Sequence, residues 1–257
     1  PALMAHSLAV VRALEAEGGF TLGGRVALVA GHSLGEYSAL TAAGAFDIAT
    51  AAKLLRLRGE AMQKATPPGT GAMAALLGAE IDLAQEICAA AATNPETGKK
   101  EVVEAANDNG GGQVVISGAK AAVERAIEIA KEKGVKRAML LPVSAPFHCA
   151  LMAPAADAMA EALAKAAMRA PAVPVVANVT AAKATDPADI RDLLVRQVTG
   201  TVRWRECVAA MAAMGCDKFV EVGAGKVLTG LMKRNAPEAT ALAIGNPAEL
   251  EAFLKTL

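Results

Sequence analysis

The chain has 257 residues, of which 54% are hydrophobic and 3% aromatic, so it can bury a sizeable core made mostly of Ala, Val, Leu and Ile. Lys and Arg number 26 and so do Asp and Glu, and this balance excludes a net field that would draw the chain to nucleic acid or to an anionic membrane. No apolar run is long enough to span a bilayer, and the four cysteines form no CxxC pair or zinc-ligand spacing with histidine, so we expect a soluble cytoplasmic α/β protein without a metal.

The predicted elements begin with a helix over residues 2–17. Because the chain opens inside that helix at Pro1, we expect the natural N-terminus to lie further upstream. A β-branched run at 25–30 predicts a buried strand, and a predicted helix over 33–43 follows it at once. Asp47 is a suitable N-cap for the next helix, over 48–64.

The middle of the chain predicts a compact alternation of short elements. Strands are predicted at 72–77, 101–106, 113–117 and 137–142, and helices at 82–92 and 119–133. The glycines at 110–112 predict the turn between the second and third strands. This order, βαββαβ, is the ferredoxin-like plan.

The remainder predicts a helix at 151–168, a strand at 173–178, a helix at 190–198 and a strand at 218–222. Strands and helices therefore alternate on both sides of the small βαββαβ unit. We predict a large α/β-hydrolase-like catalytic subdomain with a parallel sheet, formed by residues 1–71 and 147–257. A ferredoxin-like small subdomain, residues 72–146, is inserted in it.

The segment Gly31-His32-Ser33-Leu34-Gly35 matches the pattern G-x-S-x-G between a predicted strand and a predicted helix. Such an elbow exposes the serine hydroxyl as a nucleophile, and the helix N-terminus directs unpaired N–H groups toward it. The N–H of Leu34 is then a natural oxyanion donor. The alternative is an ordinary glycine-rich turn in which the serine only caps a helix.

A serine nucleophile needs a base, and histidine is the usual one. The sequence offers only three histidines. His6 lies on the opening helix without polar neighbours, and the side chain of His32 should leave the elbow in another direction. By elimination the base is His148. A hydrogen-bonded histidine at a helix start is the usual interpretation of a lone histidine, but the place of His148 as the only suitable partner for Ser33 favours the base.

Arg58 projects from a helix rich in Ala and Leu, and its guanidinium could hold a carboxylate through two parallel hydrogen bonds. It could equally belong to a solvated basic face with Lys53, Arg56 and Lys64. A glycine-rich turn at 223–226 is no P-loop, because valines stand where the motif requires its first glycine and its Ser or Thr.

Six segments in order make the sequence similar to the malonyl-CoA:acyl carrier protein transacylase family. They are GHSLGEYSAL (31–40), RGEAMQ (58–63), GTGAMAALLG (69–78), PFHCALM (146–152), LVRQ (194–197) and EVGAGKVLTGL (221–231). The resemblance implies transfer of a malonyl group from malonyl-CoA to the phosphopantetheine thiol of acyl carrier protein, for fatty acid biosynthesis. It implies a ping-pong reaction with no cofactor.

The resemblance also assigns residue roles. It implies that Ser33 carries the acyl ester, that His148 is the base, and that the main-chain carbonyl of Gln197 orients this histidine. It places the malonyl carboxylate on Arg58, with Met62 lining the acyl pocket. His32 and Phe147 are the further substrate-binding candidates, and Phe147 resembles the residue of malonyl-selecting members.

One family motif has no match. The family's N-terminal strand carries Gly-Gln-Gly, whose glutamine helps to form the oxyanion hole, and residues 1–32 contain no such motif. We therefore expect that the segment carrying it is missing and that this chain alone is a weak enzyme, since losing one oxyanion donor costs about a hundred- to a thousandfold in rate. The Asn-rich turn at 107–109 corresponds to a family loop but receives no role.

Three other hypotheses stay open on the sequence. A serine esterase of the α/β-hydrolase type shares the elbow but needs a triad carboxylate. A non-catalytic module could bind carrier protein without chemistry, and the chain could be a domain cut from a larger synthase. We expect a monomer that meets the acidic carrier protein through a local basic patch, for which Lys226, Lys233 and Arg234 are candidates.

Overall fold

The structure is a computed structural model that describes residues 1–257, and the mixed α/β class predicted from the sequence is confirmed. The helices are α1 (Ala2–Gly18), α2 (Leu22–Arg25), α3 (Leu34–Ala42), α4 (Ile48–Lys64), α5 (Ile81–Ala91), α6 (Lys120–Glu132), α7 (Ala153–Lys165), α8 (Pro187–Thr199), α9 (Trp204–Ala213), α10 (Val227–Asn235) and α11 (Pro247–Leu254). The strands are β1 (Val29–Ala30), β2 (Gly71–Leu77), β3 (Val103–Gly110), β4 (Gln113–Ala119), β5 (Arg137–Leu140), β6 (Val175–Val176), β7 (Lys183–Ala184), β8 (Lys218–Val222) and β9 (Thr240–Ile244). None of the helices combines the length and the apolar character that crossing a membrane requires.

The chain divides into two compact units. The first unit consists of Pro1–Arg56, Lys165–Arg191 and Glu206–Leu257, and the second of Leu57–Ala164 and Asp192–Arg205. The four strands from β2 to β5 lie in the second unit. The subdomain limits predicted at residues 72 and 146 stay a prediction.

The second unit contains a four-stranded antiparallel sheet in the order β3-β4-β2-β5, with α5 and α6 between the strands in chain order. Strand β2 alternates between two apolar faces, as the two-residue period of a strand requires. Ala74 and Leu76 belong to the core that includes α5 and α6, whereas Met73 belongs to a small cluster that Phe147 contacts. Buried surface on both faces explains the unbroken apolar run of β2 in the sequence.

Strand β3 differs from its prediction, because it continues to Gly110 through the polar residues predicted as a turn. The N–H of Val202 donates to Ala106 O at 2.8 Å, and the N–H of Asp108 donates to Val202 O at 2.9 Å. Residues 107–109 are therefore buried strand residues with bulges on either side of Asn107 and Asp108. Pairing with a segment almost a hundred residues later leaves no local signal, which is why the predicted Asn-rich turn was wrong.

The first unit contains parallel strand pairs. Strand β1 pairs in parallel with β6, β7 adds an antiparallel strand, and β8 pairs in parallel with β9. The predicted strand at 25–30 shrinks to Val29–Ala30, because the N–H of Val26 donates to Leu22 O at 3.0 Å and closes a helical turn before it. Helix α1 packs on β8, β9 and α11 through Val10, Leu14 and Ile244.

Candidate active site

Ser33 lies in the tight turn between β1 and α3, as the elbow pattern predicts. Its backbone has φ 53° and ψ −107°, a conformation that costs a non-glycine residue on the order of 1–3 kcal/mol. A Cβ at position 31 would collide with the main chain of Gly35, so only glycine permits the close approach of the strand end to the helix start. Such strain concentrates where a side chain must be held out for chemistry.

The strained turn is held by Asn178, which follows β6. The N–H of Ser33 donates to Asn178 Oδ1 at 2.7 Å, and Asn178 Nδ2 donates to Gly31 O at 2.8 Å. Its own N–H donates to Glu36 Oε2 at 3.1 Å, and both Asn178 and Glu36 are buried. Sequence reasoning missed both residues; the polar residue directly after the apolar strand run of β6 was the only available signal.

The half-buried Leu34 is the first residue of α3. The first N–H groups of a helix have no partner within the helix, and they lie at the positive end of its dipole. The arrangement can stabilise negative charge that develops beside Ser33. His32 precedes the serine and is half-buried in the first unit.

His148 lies in the second unit and is almost fully buried. It has a positive φ of 58°, and its Nδ1 lies 2.8 Å from the main-chain oxygen of Gln197. Because a carbonyl oxygen only accepts hydrogen bonds, Nδ1 carries the proton in this contact, and in the neutral ring the lone pair then lies on Nε2. The ring is therefore in the tautomer that a general base requires.

The oxygen that orients His148 belongs to the last turn of α8, which ends at Thr199. The last four carbonyls of a helix have no intrahelical donor, so the oxygen of Gln197 is available to the imidazole. The C-terminal end of a helix also carries partial negative charge, which stabilises an imidazolium by about 0.3–2 kcal/mol. The local structure thus favours a histidine that gains a proton during a reaction.

Arg58 is buried on α4, with 6% of its surface exposed. Its Nη2 donates to Gln197 Oε1 at 3.0 Å, and Met62, one turn later, is also buried. Lys53, Arg56 and Lys64 of the same helix are exposed. The solvated basic face considered from the sequence is therefore wrong for Arg58.

In the second unit, one residue thus joins three of the predicted residues, itself included. Gln197 contacts His148 with its main-chain oxygen and Arg58 with its side-chain oxygen. Phe147 packs on the sheet face of Met73 next to His148. The roles of these residues remain predictions, as do those of Ser33, Leu34 and His32 in the first unit.

The glycine-rich turn before α10 has an internal carboxylate at the helix N-terminus. Glu221 accepts from the N–H groups of Leu228 and Thr229 at 3.1 and 2.7 Å. Lys226 Nζ lies 2.6 Å from Glu249 Oε1, and this lysine lowers the pKa of the Glu249 carboxyl. The helix terminus that a phosphate would need is therefore occupied by the protein itself.

Cys88 and Cys149 do not supply a second nucleophile. Burial raises the pKa of the Cys88 thiol to about 12, and burial likewise raises the pKa of Cys149, which follows His148. Thiols with raised pKa values stay protonated near neutral pH and are poor nucleophiles. The structure contains no group of three or more His, Cys, Asp or Glu side chains placed to hold a metal ion.

The chain is similar to known acyl transferases. A family model described as acyl transferase domain matches residues 1–246. The chain is 48% identical over 255 residues to the malonyl CoA-acyl carrier protein transacylase of Escherichia coli K12, covering 99% of this chain and 79% of that protein. The chain therefore belongs to the malonyl CoA-acyl carrier protein transacylase family, and the resemblance drawn from its motifs is confirmed.

Solved structures agree with that assignment. The acyl-carrier-protein-S-malonyltransferase of Bartonella henselae superposes with a TM-score of 0.94 at 52% identity, covering 100% of this chain and 79% of that one. A malonyl-transacylase in complex with a type II PKS acyl-carrier protein superposes with a TM-score of 0.93 at 43% identity, covering 100% of this chain and 80% of that one.

Proposed function

We propose that the chain transfers a malonyl group from malonyl-CoA to the phosphopantetheine thiol of acyl carrier protein, in fatty acid biosynthesis, through an ester on Ser33. The observation that carries the malonyl specificity is the buried guanidinium of Arg58, because an arginine removed from water is suited to hold a free carboxylate. The names of the relatives support the same substrates.

In the first half-reaction, the Ser33 hydroxyl attacks the thioester carbonyl of malonyl-CoA while His148 Nε2 takes its proton. The N–H of Leu34 donates to the oxyanion that develops. The C–S bond then breaks, and the departing coenzyme A thiolate takes the proton from the His148 imidazolium. Coenzyme A therefore leaves as a thiol. The product is malonyl-Ser33 and neutral His148.

In the second half-reaction, the thiol of phosphopantetheine gives its proton to His148 and attacks the ester. The C–O bond to Ser33 breaks, and the serine oxygen recovers the proton from the imidazolium. No cofactor takes part in either half. Arg58 holds the malonyl carboxylate throughout, and Met62, Phe147 and His32 line the acyl site.

An esterase would use the same elbow, but it needs a carboxylate beside its histidine. His148 Nδ1 instead contacts the main-chain oxygen of Gln197, and this favours the transferase.

The acidic carrier protein would meet a basic patch that includes Lys226, Lys233 and Arg234. We further propose a cytoplasmic monomer.

We also propose that the chain consists of an α/β-hydrolase-like subdomain with a ferredoxin-like subdomain inserted in it. The antiparallel order β3-β4-β2-β5 and the sequence of elements β2-α5-β3-β4-α6-β5 support a ferredoxin-like plan for residues 72–146. The strand-elbow-helix of β1, Ser33 and α3 and the parallel pairs β1-β6 and β8-β9 support an α/β-hydrolase-like subdomain for residues 1–71 and 147–257.

Intact-protein mass spectrometry after brief mixing with malonyl-CoA tests the proposal. We expect the chain to gain the mass of one malonyl group and to lose it when holo carrier protein is added. The Ser33→Ala variant should gain none, and His148→Ala should gain it far more slowly. A malonyl adduct that persists in Ser33→Ala would contradict the mechanism, and so would a lack of adduct in the unmodified chain after mixing long enough to offset a rate lowered about a thousandfold by a missing oxyanion donor.

A further inference from the structure

Gln197 is fully buried in the last turn of α8, and its two oxygen atoms accept hydrogen bonds from two different functional side chains. The main-chain oxygen lies 2.8 Å from His148 Nδ1, and Oε1 lies 3.0 Å from Arg58 Nη2. The first contact would survive any substitution that keeps the helix, because it uses the backbone. The second depends entirely on the glutamine side chain.

The contact with Arg58 fixes the orientation of the guanidinium. An arginine side chain has four rotatable bonds, and binding a carboxylate would otherwise have to restrict them at an entropic cost. One anchored nitrogen and the planarity of the guanidinium together define the plane in which a carboxylate can form paired hydrogen bonds. Arg58 is thus oriented before a substrate arrives.

We propose that the side chain of Gln197 is a specificity-determining positioning group, which presents the Arg58 guanidinium to the carboxylate of a dicarboxylic acyl thioester. This role is separate from the main-chain contact with His148. It rests on the proposed malonyl transfer and adds to it the residue that prepares the carboxylate site.

The chemistry of the amide explains why glutamine suits this position. A carboxamide oxygen accepts a hydrogen bond without cancelling the positive charge of the guanidinium. A glutamate in its place would bind Arg58 more strongly, but it would neutralise that charge and repel the incoming carboxylate. A neutral acceptor therefore orients the arginine and leaves its charge for the substrate.

The test compares malonyl-CoA with acetyl-CoA as acyl donor, using the initial rate of ester formation on Ser33. We expect Gln197→Ala to lower kcat/KM for malonyl-CoA by about tenfold to a hundredfold, mainly through KM, because a hydrogen bond to a charged group is lost. Acetyl transfer should fall much less. Gln197→Glu should lower the ratio of malonyl to acetyl transfer further still, although its charge complements Arg58.

A double-mutant cycle with Arg58→Ala separates positioning from a general loss of structure. If Gln197 acts through Arg58, Gln197→Ala should have little further effect on malonyl transfer once Arg58 is removed. Leu194→Val is the matched control, because Leu194 is fully buried one turn earlier on the same helix and has no polar group. This variant should change kcat/KM for malonyl-CoA and for acetyl-CoA by the same factor.

The outcomes distinguish this inference from the proposed function. If the unmodified chain forms the malonyl ester and Arg58→Ala removes the malonyl preference, but Gln197→Ala keeps it, the positioning role is wrong and the proposed function stands. Equal losses for both donors in Gln197→Ala would reduce the side chain to a structural role. If the unmodified chain forms no malonyl ester even after prolonged mixing, both proposals fail.

Discussion

Only three non-glycine residues have a positive φ, and Ser33 and His148 are two of them. Both of these residues form a hydrogen bond with a buried polar residue: Ser33 through its N–H with Asn178, and His148 through Nδ1 with Gln197. Strain of this kind persists only where surrounding contacts determine the conformation. The two amide residues therefore stabilise the conformations on which the proposed chemistry depends.

Asn178→Ala tests that dependence. Its side chain satisfies the N–H of Ser33 and the carbonyl of Gly31, so its removal leaves buried polar groups without this partner. We expect the free energy of unfolding to fall by about 1–3 kcal/mol. We also expect the rate of Ser33 acylation at saturating malonyl-CoA to fall at least tenfold. A quenched time course followed by intact-protein mass spectrometry measures this rate.

A second asparagine in the same unit provides the control. Asn246 caps α11 by accepting from the N–H of Glu249 at 3.0 Å, and its replacement by Ala should cost about 1 kcal/mol of stability. It should leave the acylation rate as it is. Equal acylation rates in the Asn178 and Asn246 variants would show that Asn178 only stabilises the fold.

Secondary structure with local causes was predictable from the sequence. The helix predicted at 48–64 and the alternation of strands and helices from 72 to 142 follow from apolar periodicity, an Asp cap and proline or glycine breaks, and the structure contains them. Elements whose extent depends on pairing with residues far away in the sequence were not predictable. Strand β3 extends to Gly110 because Val202 pairs with it, and β6 keeps only the two residues that pair with β1 and β7.

The extension of β3 is also held by an ion pair. The Asp108 carboxylate is 2% exposed and lies 2.9 Å from Arg205 Nη2, at the start of α9. We expect Arg205→Ala to lower the free energy of unfolding by about 2 kcal/mol, because it leaves a buried carboxylate without its guanidinium partner. Chemical denaturation with urea measures this difference.

The matched change is Arg196→Ala, which removes an exposed pair with Asp192 and should cost less than about 0.5 kcal/mol. Replacing Asp108 by Asn in the Arg205→Ala background should restore part of the lost stability, since no buried charge then remains. If Arg205→Ala and Arg196→Ala destabilise alike, the ion pair does not hold the strand extension.

The residues of the candidate site that belong to short sequence motifs were predictable. The elbow pattern gave Ser33, elimination among three histidines gave His148, and the family resemblance gave Arg58 and the main-chain role of Gln197. Asn178, Glu36 and the side-chain role of Gln197 were missed. Their contacts join residues 139 to 145 positions apart, and no local pattern in one sequence encodes such pairings.

Across the whole chain 26 basic side chains balance 26 acidic ones, so attraction of an acidic carrier protein must come from local charge. Lys233 and Arg234 lie together in the last turn of α10 and are exposed. Lys226 is paired with Glu249, so its charge is largely compensated. We therefore expect Lys233→Glu to lower kcat/KM for carrier protein severalfold, and Lys226→Ala to have a smaller effect.

Salt dependence decides whether that loss is electrostatic. Raising the salt from about 0.1 M to about 1 M shortens the Debye length from about 10 to about 3 Å, so the difference between Lys233→Glu and the unmodified chain should nearly vanish. Acylation by malonyl-CoA, followed without carrier protein, should respond much less to Lys233→Glu. A loss that persists at high salt, or that is as large in the acylation step, would place the effect in the fold or the acyl site instead of the carrier-protein contact.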